Sequence, residues 1–193
     1  RTIRPLFAHY IKNAVQVIVT VIAVGEMDPK TLGINAVSIA LHVSDIPWNG
    51  PVGAVHISKT KNDPEIKINH YVPNENEAVY ELDLLVCGKD KTINMIEAMA
   101  FELSDEEMGK CFDLATIEIT KWQEFEERLR KEIGKEKIVF EKAETPAEVV
   151  SLFEKDIKPT FDKGLFSKES KQIITEAEAT WKNIVDEKYK EDE

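Results

Sequence analysis

The chain has 193 residues, of which 42% are hydrophobic, and a formal net charge of −11. This length fits one large domain or two small ones, and the apolar share is ordinary for a soluble globular protein. No apolar run approaches the roughly 18 residues of a membrane-spanning helix, which excludes an integral helical membrane protein.

The negative charge is concentrated in the second half of the chain. Residues 1–100 contain nine Lys and Arg against eleven Asp and Glu, whereas residues 101–193 contain sixteen against twenty-five. Nucleic-acid-binding proteins usually carry a basic face. If this chain serves RNA, we therefore expect other parts of the molecule to supply most of the positive field.

The first half predicts strands around one helix. Residues 14–24 (AVQVIVTVIAV) are rich in Val and Ile and predict a buried strand. Asp28-Pro29 is a helix start, and the following segment spaces apolar residues at helical intervals. The apolar residues at these intervals are Leu32, Ala36, Ile39, Ala40 and Val43.

A rigid corner, SDIPWNGPVGAV (residues 44–55), ends that helix. Residues 53–59 and 65–69 then predict a hairpin, and residues 82–88 predict another buried strand. Residues 92–100 fit either a strand or a helix. The corner supplies no nucleophile or base, so we predict that its role is architectural.

The second half predicts helices. Ser104 and Glu107 form a capping box before a long helix that extends to about residue 131 and is broken at Gly134. Residues 145–148 predict a second capping box, with Thr145 as the cap, and Ser167 is the predicted cap of the last helix. The predicted organisation is an α/β part over residues 1–133, a linker over 134–143 and a small all-helical domain over 144–193.

Few residues suggest chemistry by themselves. The two cysteines form no disulfide or zinc pattern, which is typical of a reducing compartment and predicts a cytoplasmic location. His42 and His56 are predicted to be structural, and the many carboxylates after residue 100 to form solvated helix faces. Asp83 opens an apolar strand, where it is either an edge residue facing water or the relic of an active site.

Arg1 and Arg4, in RTIRPLF, form a small basic cluster, to which Lys12 could belong. Two arginines at this spacing suit a phosphate clamp, but the residues alone favour a surface salt bridge. The chain begins at Arg1 rather than Met, so we expect either a processed protein or an internal piece of a longer one.

The motifs R-x-I-R-P-L-F, S-x-I-P-x-N-G-P-[VI]-G and L-D-L-x-V-x-G, in this order, resemble the bacterial polynucleotide phosphorylase family. The resembling part is the second portion of the first ribonuclease PH-like domain (ribosomal protein S5 domain 2-like), followed by the all-helical linker domain. The implied fold class is therefore α/β (α+β), followed by a small all-α domain.

This resemblance implies 3′→5′ phosphorolytic degradation of RNA (mRNA) by a polyribonucleotide nucleotidyltransferase, with inorganic phosphate as co-substrate and Mg²⁺ assisting. It also implies a homotrimer with RNA in a central channel, and partners in an RNA-degradation assembly. The family's catalytic copy carries Asp-x-Lys where this chain has Asp83-Leu84-Leu85, and a serine-rich turn where this chain reads GEMDPKTLG.

Both departures identify the first, non-catalytic copy. No catalytic or metal-binding residue is therefore carried over, and the magnesium site is expected outside this chain. Arg1 and Arg4 match a motif near the family's RNA path, which implies an RNA or phosphate contact. The resemblance also implies that the front half of this domain, with strands of the same sheet, precedes RTIRPLF in the parent enzyme.

Two alternatives remain open. In one, the acidic helical portion packs on a partner and the chain never contacts RNA. In the other, the chain is a ribonuclease PH or exosome-type subunit, although those proteins lack such a helical tail. Salt-dependent RNA binding by residues 1–133 would separate RNA guidance from pure interaction.

Overall fold

The computed structural model describes residues 1–70, 80–142 and 144–189. The chain divides into two units, Arg1–Glu141 and Lys142–Glu193. The first unit holds a four-stranded sheet with two long helices, and the second unit is helical. The elements are a short 3₁₀ helix at Arg4–Leu6, α1 (Pro29–Val43), β1 (Gly53–Thr60), β2 (Asp63–Ile68), β3 (Tyr80–Lys89), β4 (Thr92–Ala100), α2 (Asp105–Ile133), α3 (Ala147–Asp156), α4 (Lys158–Gly164) and α5 (Ser170–Lys188).

The sheet is antiparallel, with strand order β2-β1-β3-β4. The predicted hairpin is confirmed by β1 and β2, and the predicted buried strand by β3. Residues 92–100, which fitted either a strand or a helix, form β4 and pair along β3. The pairing with a buried neighbour decides this, because the sequence of β4 carries too little periodicity to select one structure.

The larger core lies between the sheet and α2. Side chains of β1 and β3 that point to one face of the sheet pack against the buried residues Cys111, Ala115 and Ile119 of α2. The opposite face carries a smaller cluster of Ala54, Leu85 and Cys87. Because alternate residues of a strand face opposite sides, β3 is apolar on both faces and reads as a continuous apolar run.

Helix α1 confirms the predicted helix and its predicted start. Asp28 caps it, since its carboxylate accepts hydrogen bonds from the backbone N–H groups of Lys30 and Thr31. The apolar positions that indicated the helix are not its buried ones: Leu32 is 41% exposed, and the buried positions are Thr31, Asn35, Ser38, Leu41 and His42. Hydrogen bonds to β1 and α2 satisfy two of these polar residues, so polarity did not keep them at the surface.

Residues 14–24 do not form the predicted buried strand. All of them are exposed and lie outside any strand of the described chain, and Ile22 is 94% exposed. A strand needs a neighbour to pair its N–H and C=O groups, and the described residues place none beside this segment. The high β-propensity of residues 14–24 therefore indicated an extended segment, but it could not indicate whether another strand pairs with it.

Of the three helix caps predicted in the second half of the chain, one is confirmed. Ser104 and Glu107 make the predicted capping box, and α2 ends at Gly134. Helix α3 instead has Pro146 at its N-cap with no side-chain hydrogen bond, so the Thr145 cap is wrong. Ser167 is also not a cap, because α5 starts three residues later; its hydroxyl accepts the N–H of Glu169 and donates to the carbonyl of Gly164.

The second unit builds its own aromatic core. The rings of Phe153 and Trp181 meet edge to face at 5.4 Å, and Phe161 stacks obliquely on Phe153. Ile157, between α3 and α4, is 1% exposed. The predicted fold class, a mixed α/β part followed by a helical part, is confirmed. In the described ranges, no helix combines the length and apolarity that crossing a membrane requires.

Candidate nucleic-acid interface

Residues 1–7, here called the N-terminal arm, are held by hydrogen bonds and packing against residues 44–52 of the corner. The indole Nε1 of Trp48 donates a hydrogen bond to the carbonyl of Ile3 at 3.0 Å. The backbone N–H of Asn49 donates to the carbonyl of Leu6, also at 3.0 Å. Ile3, Leu6 and Phe7 pack against Trp48 and its buried neighbours. The arm therefore has a defined position on the fold.

Arg1 and Arg4 lie on the exposed side of this arm. Both line one open cavity of about 1330 Å³, whose rim also includes Lys30 and its ion-pair partner Glu97, 3.6 Å apart. Lys12 is not among the residues that line it. An exposed guanidinium can hold a phosphate through two parallel N–H···O hydrogen bonds, so this rim is chemically suited to an RNA backbone.

The rest of the cavity wall is largely apolar. It includes Val15, Val17 and Val19 from the extended segment 14–24, and Leu85 from β3. Ile18, between two of these valines, points away and is 77% exposed. The segment thus alternates sides as a strand does, although it pairs with no strand among the described residues.

The corner is built for packing. Trp48 is 7% exposed and shares a buried cluster with Leu41 and Val52. A Cβ atom at Gly50 would collide with the Trp48 ring, so glycine is required here for space, not for a left-handed backbone conformation. The Gly50–Pro51 peptide bond is cis. These contacts support the predicted architectural role.

Asp83 is paired with a buried histidine on β1. Its Oδ1 lies 2.7 Å from His56 Nε2, and the His56 side chain is 5% exposed. An ionised carboxylate only accepts, so Nε2 carries the proton, while the buried Nδ1 has no hydrogen-bond partner. The hydrogen bond from His56 lowers the pKa of Asp83 against the opposing effect of partial burial. The sequence indicated both residues but not their pairing.

Leu85 stands two residues further along β3 and is 6% exposed. It packs with Ala54 and Cys87, and Ile34 of α1 lies against this cluster. Residues two apart in a strand point to the same face, so Leu85 lies on the same face of β3 as Asp83. A charged head group at position 85 would therefore enter an apolar contact. This environment suits the leucine that is present.

A buried carboxylate on α2 is the polar residue that the sequence reasoning missed. Glu126 is 1% exposed, whereas the carboxylates after residue 100 were predicted to be solvated. The position of Glu126 in the sequence nevertheless indicates that it is buried. Cys111, Ala115 and Ile119 mark the inner face of α2, and Glu126 follows Ile119 by seven residues, two helical turns later on the same face.

The described residues offer no cage for a metal ion. Nowhere in the described ranges do three His, Cys, Asp or Glu side chains converge in a geometry that could hold one. Cys87 and Cys111 are buried and unpaired, and burial raises the pKa of both thiols.

Curated relatives identify the enzyme family from which this segment comes. The chain is 34% identical over its full length to polyribonucleotide nucleotidyltransferase of Natranaerobius thermophilus, covering 27% of that protein. Over 80% of the chain it is 39% identical to the Thermosipho melanesiensis enzyme of the same name. The chain is homologous to a segment of polyribonucleotide nucleotidyltransferase.

The Thermus thermophilus polyribonucleotide nucleotidyltransferase is 34% identical over 81% of the chain. No protein-family model matches the chain. The chain spans about a quarter of the length of these relatives: 27% of the Natranaerobius protein, 22% of the Thermosipho protein and 21% of the Thermus protein. The resemblance carried by the three sequence motifs is thereby confirmed. The activity of a complete polyribonucleotide nucleotidyltransferase belongs to a protein several times longer than this segment.

Proposed function

We propose that this chain is a non-catalytic core segment of a phosphorolytic 3′→5′ exoribonuclease that acts in RNA degradation. In the parent enzyme, inorganic phosphate attacks the terminal phosphodiester bond and the terminal nucleotide leaves as a nucleoside diphosphate. The observation that carries the proposal is the 34% identity of the whole chain to a polyribonucleotide nucleotidyltransferase. The proposal places the magnesium that assists this reaction in another part of the parent enzyme.

Within this enzyme, the segment guides RNA and contributes to the architecture of a homotrimer. Two observations support RNA guidance: Arg1 and Arg4 are exposed on the rim of one cavity, and the contacts of Trp48 and Asn49 fix the arm that carries them. A fixed arm loses little conformational entropy when it binds a phosphate backbone. The buried apolar environment of Leu85 supports the absence of catalysis in this copy.

The test of RNA guidance is a salt series with a labelled single-stranded oligoadenylate of about 20 nucleotides. We expect binding to weaken steeply between about 50 and 200 mM salt, because phosphate contacts release counterions. The double substitution R1A/R4A should lower affinity roughly tenfold and reduce the salt slope by about 1.4, which corresponds to two phosphate contacts on a single strand.

The matched control is R128A/K131A, which removes the same charge from two exposed positions of α2 in the same unit. This control should bind RNA as the unchanged chain does. If both double variants lost the same RNA affinity, Arg1 and Arg4 would act only through the overall charge of the chain and not as specific phosphate contacts. The absence of salt-dependent RNA binding by the unchanged chain would overturn RNA guidance.

A second candidate function is a protein-interaction module that makes no RNA contact. It is favoured by the net charge of −9 in residues 101–193 and by Phe166 of the helical unit, which is 96% exposed beside the half-exposed Leu165. A large apolar side chain held in water is typical of a contact surface. The same RNA experiment separates the two functions, since this candidate predicts no salt-dependent binding.

A further inference from the structure

Glu126 is buried at the junction of three elements of the first unit. Its Oε2 accepts a hydrogen bond of 2.6 Å from the hydroxyl of Ser38 on α1. Its Oε1 is buried and has no hydrogen-bond partner. An ionised carboxylate with one oxygen unpaired in an apolar site is costly, whereas the neutral acid is much less so.

The Ser38 hydroxyl connects this carboxyl to the corner. It donates to Glu126 and accepts the backbone N–H of Val52 at 3.0 Å. Val52 is fully buried beside Trp48 in the cluster that supports the N-terminal arm. One hydroxyl therefore joins α1, α2 and the corner. Ionisation of Glu126 strengthens the hydrogen bond from Ser38 but leaves a charged, buried Oε1 without a donor, and burial is the larger of the two effects.

The cations near this junction are engaged with the carboxyl end of α1. Arg130 donates to the carbonyl of His42, and Lys137 donates to the carbonyls of Leu41 and Ser44. The nearest charged side chain on α2 is Glu127, which pairs with Nε2 of His42 at 3.1 Å. Glu127 is itself negative, so it opposes ionisation of Glu126.

These surroundings shift the titration of both buried groups. Burial raises the pKa of Glu126 to about 7, Ser38 opposes this through its hydrogen bond, and Glu127 adds to it. Burial likewise lowers the pKa of His42, while Glu127 opposes that shift. The two groups therefore act on stability in opposite directions as the pH changes.

We propose that Glu126 is a proton-dependent switch: its neutral carboxyl closes the junction of α1, α2 and the corner, and loss of the proton loosens it. A carboxyl whose pKa is higher in the folded than in the unfolded state stabilises the fold fully below its unfolded value of 4.5. That contribution is lost as the pH rises through about 7. For His42 the sign is opposite, with stability lost as the pH falls below 6.5.

The test compares the chain with E126Q, in which the amide resembles the neutral acid and cannot ionise. Urea unfolding is measured from about pH 5 to about pH 8.5 at constant ionic strength. We expect the unfolding equilibrium constant of the unchanged chain to rise on the order of a hundredfold relative to E126Q across this range. E124Q, an exposed carboxylate on the same helix, is the matched control and should follow the unchanged chain.

Two local measurements locate the effect. The carbon-13 shift of the Glu126 carboxyl should titrate near pH 7. Amide exchange at Val52, corrected for the intrinsic pH dependence, should accelerate at high pH in the unchanged chain but not in E126Q. Titration of the carboxyl near 4.5, or equal pH dependence in the two proteins, would overturn the proposal. If E126Q does not fold, the carboxyl titration of the unchanged chain decides by itself.

Discussion

At the scale of single residues, buried polar side chains join separate elements of the first unit through hydrogen bonds. Asn35 of α1 is 2% exposed, and it bonds both backbone groups of Ala54 beyond the end of β2. Its amide therefore takes the place of a neighbouring strand at that point of β1. The sequence offered Asn35 as an ordinary polar residue of a helix. The role of Asn35 is visible only in the tertiary structure, where α1 packs beside a part of β1 that β2 does not reach.

Replacing Asn35 with alanine should cost about 3 kcal/mol of unfolding free energy, because it leaves a buried N–H and a buried C=O unpaired. The measurement is urea unfolding followed by circular dichroism. N94A, at an exposed position of β4, is the control and should change stability by less than about 0.5 kcal/mol. A cost for N35A as small as that of N94A would mean that water satisfies Ala54 equally well.

At the scale of elements, the sequence predicted the presence of a helix or strand more accurately than the residue at which a helix begins. The capping box at Ser104 is made as predicted, since both of its hydrogen bonds are local to the first turn of α2. The similar sequence at Thr145 makes no cap, because α3 begins one residue later. Helix ends shift by a residue or two at little cost, so neighbouring packing selects among them.

This difference between two similar motifs can be measured. S104A should lower the unfolding free energy by about 1 kcal/mol, because it removes the acceptor for the Glu107 N–H and breaks the reciprocal bond. T145A should stay within about 0.5 kcal/mol of the unchanged chain. Thermal unfolding monitored at the helix signal compares the two. A larger loss for T145A than for S104A would show that Thr145 caps α3 in solution.

At the scale of the whole molecule, the chain matches about a quarter of the length of its curated relatives, and its second half is acidic. Leu85 is buried in an apolar contact at the position where the resemblance places a lysine in the catalytic copy. This contact supports our proposal of a scaffolding and guiding role within a phosphorolytic enzyme.

The chain should therefore release no nucleoside diphosphate when incubated with a 3′-labelled oligonucleotide, magnesium and phosphate. Thin-layer chromatography of the products checks this, and a complete polyribonucleotide nucleotidyltransferase is the positive control. Release that disappears in D83A would contradict the non-catalytic assignment. It would place an active site at the Asp83–His56 pair, where the two side chains are already 2.7 Å apart.

The sequence by itself determined the fold class, the hairpin, strand β3, the start of α1 and the capping box of α2. These features depend on periodicity and on residues close together in the chain, which the sequence displays directly. It also carried the motifs that the curated relatives confirm. The tertiary structure decided the rest: residues 14–24 lie beside no strand of the described ranges, α1 buries a polar face, Asp83 pairs with His56, and Glu126 is buried. Each of these depends on which distant segment lies beside a residue, and packing between elements sets that neighbour, whatever the local propensity.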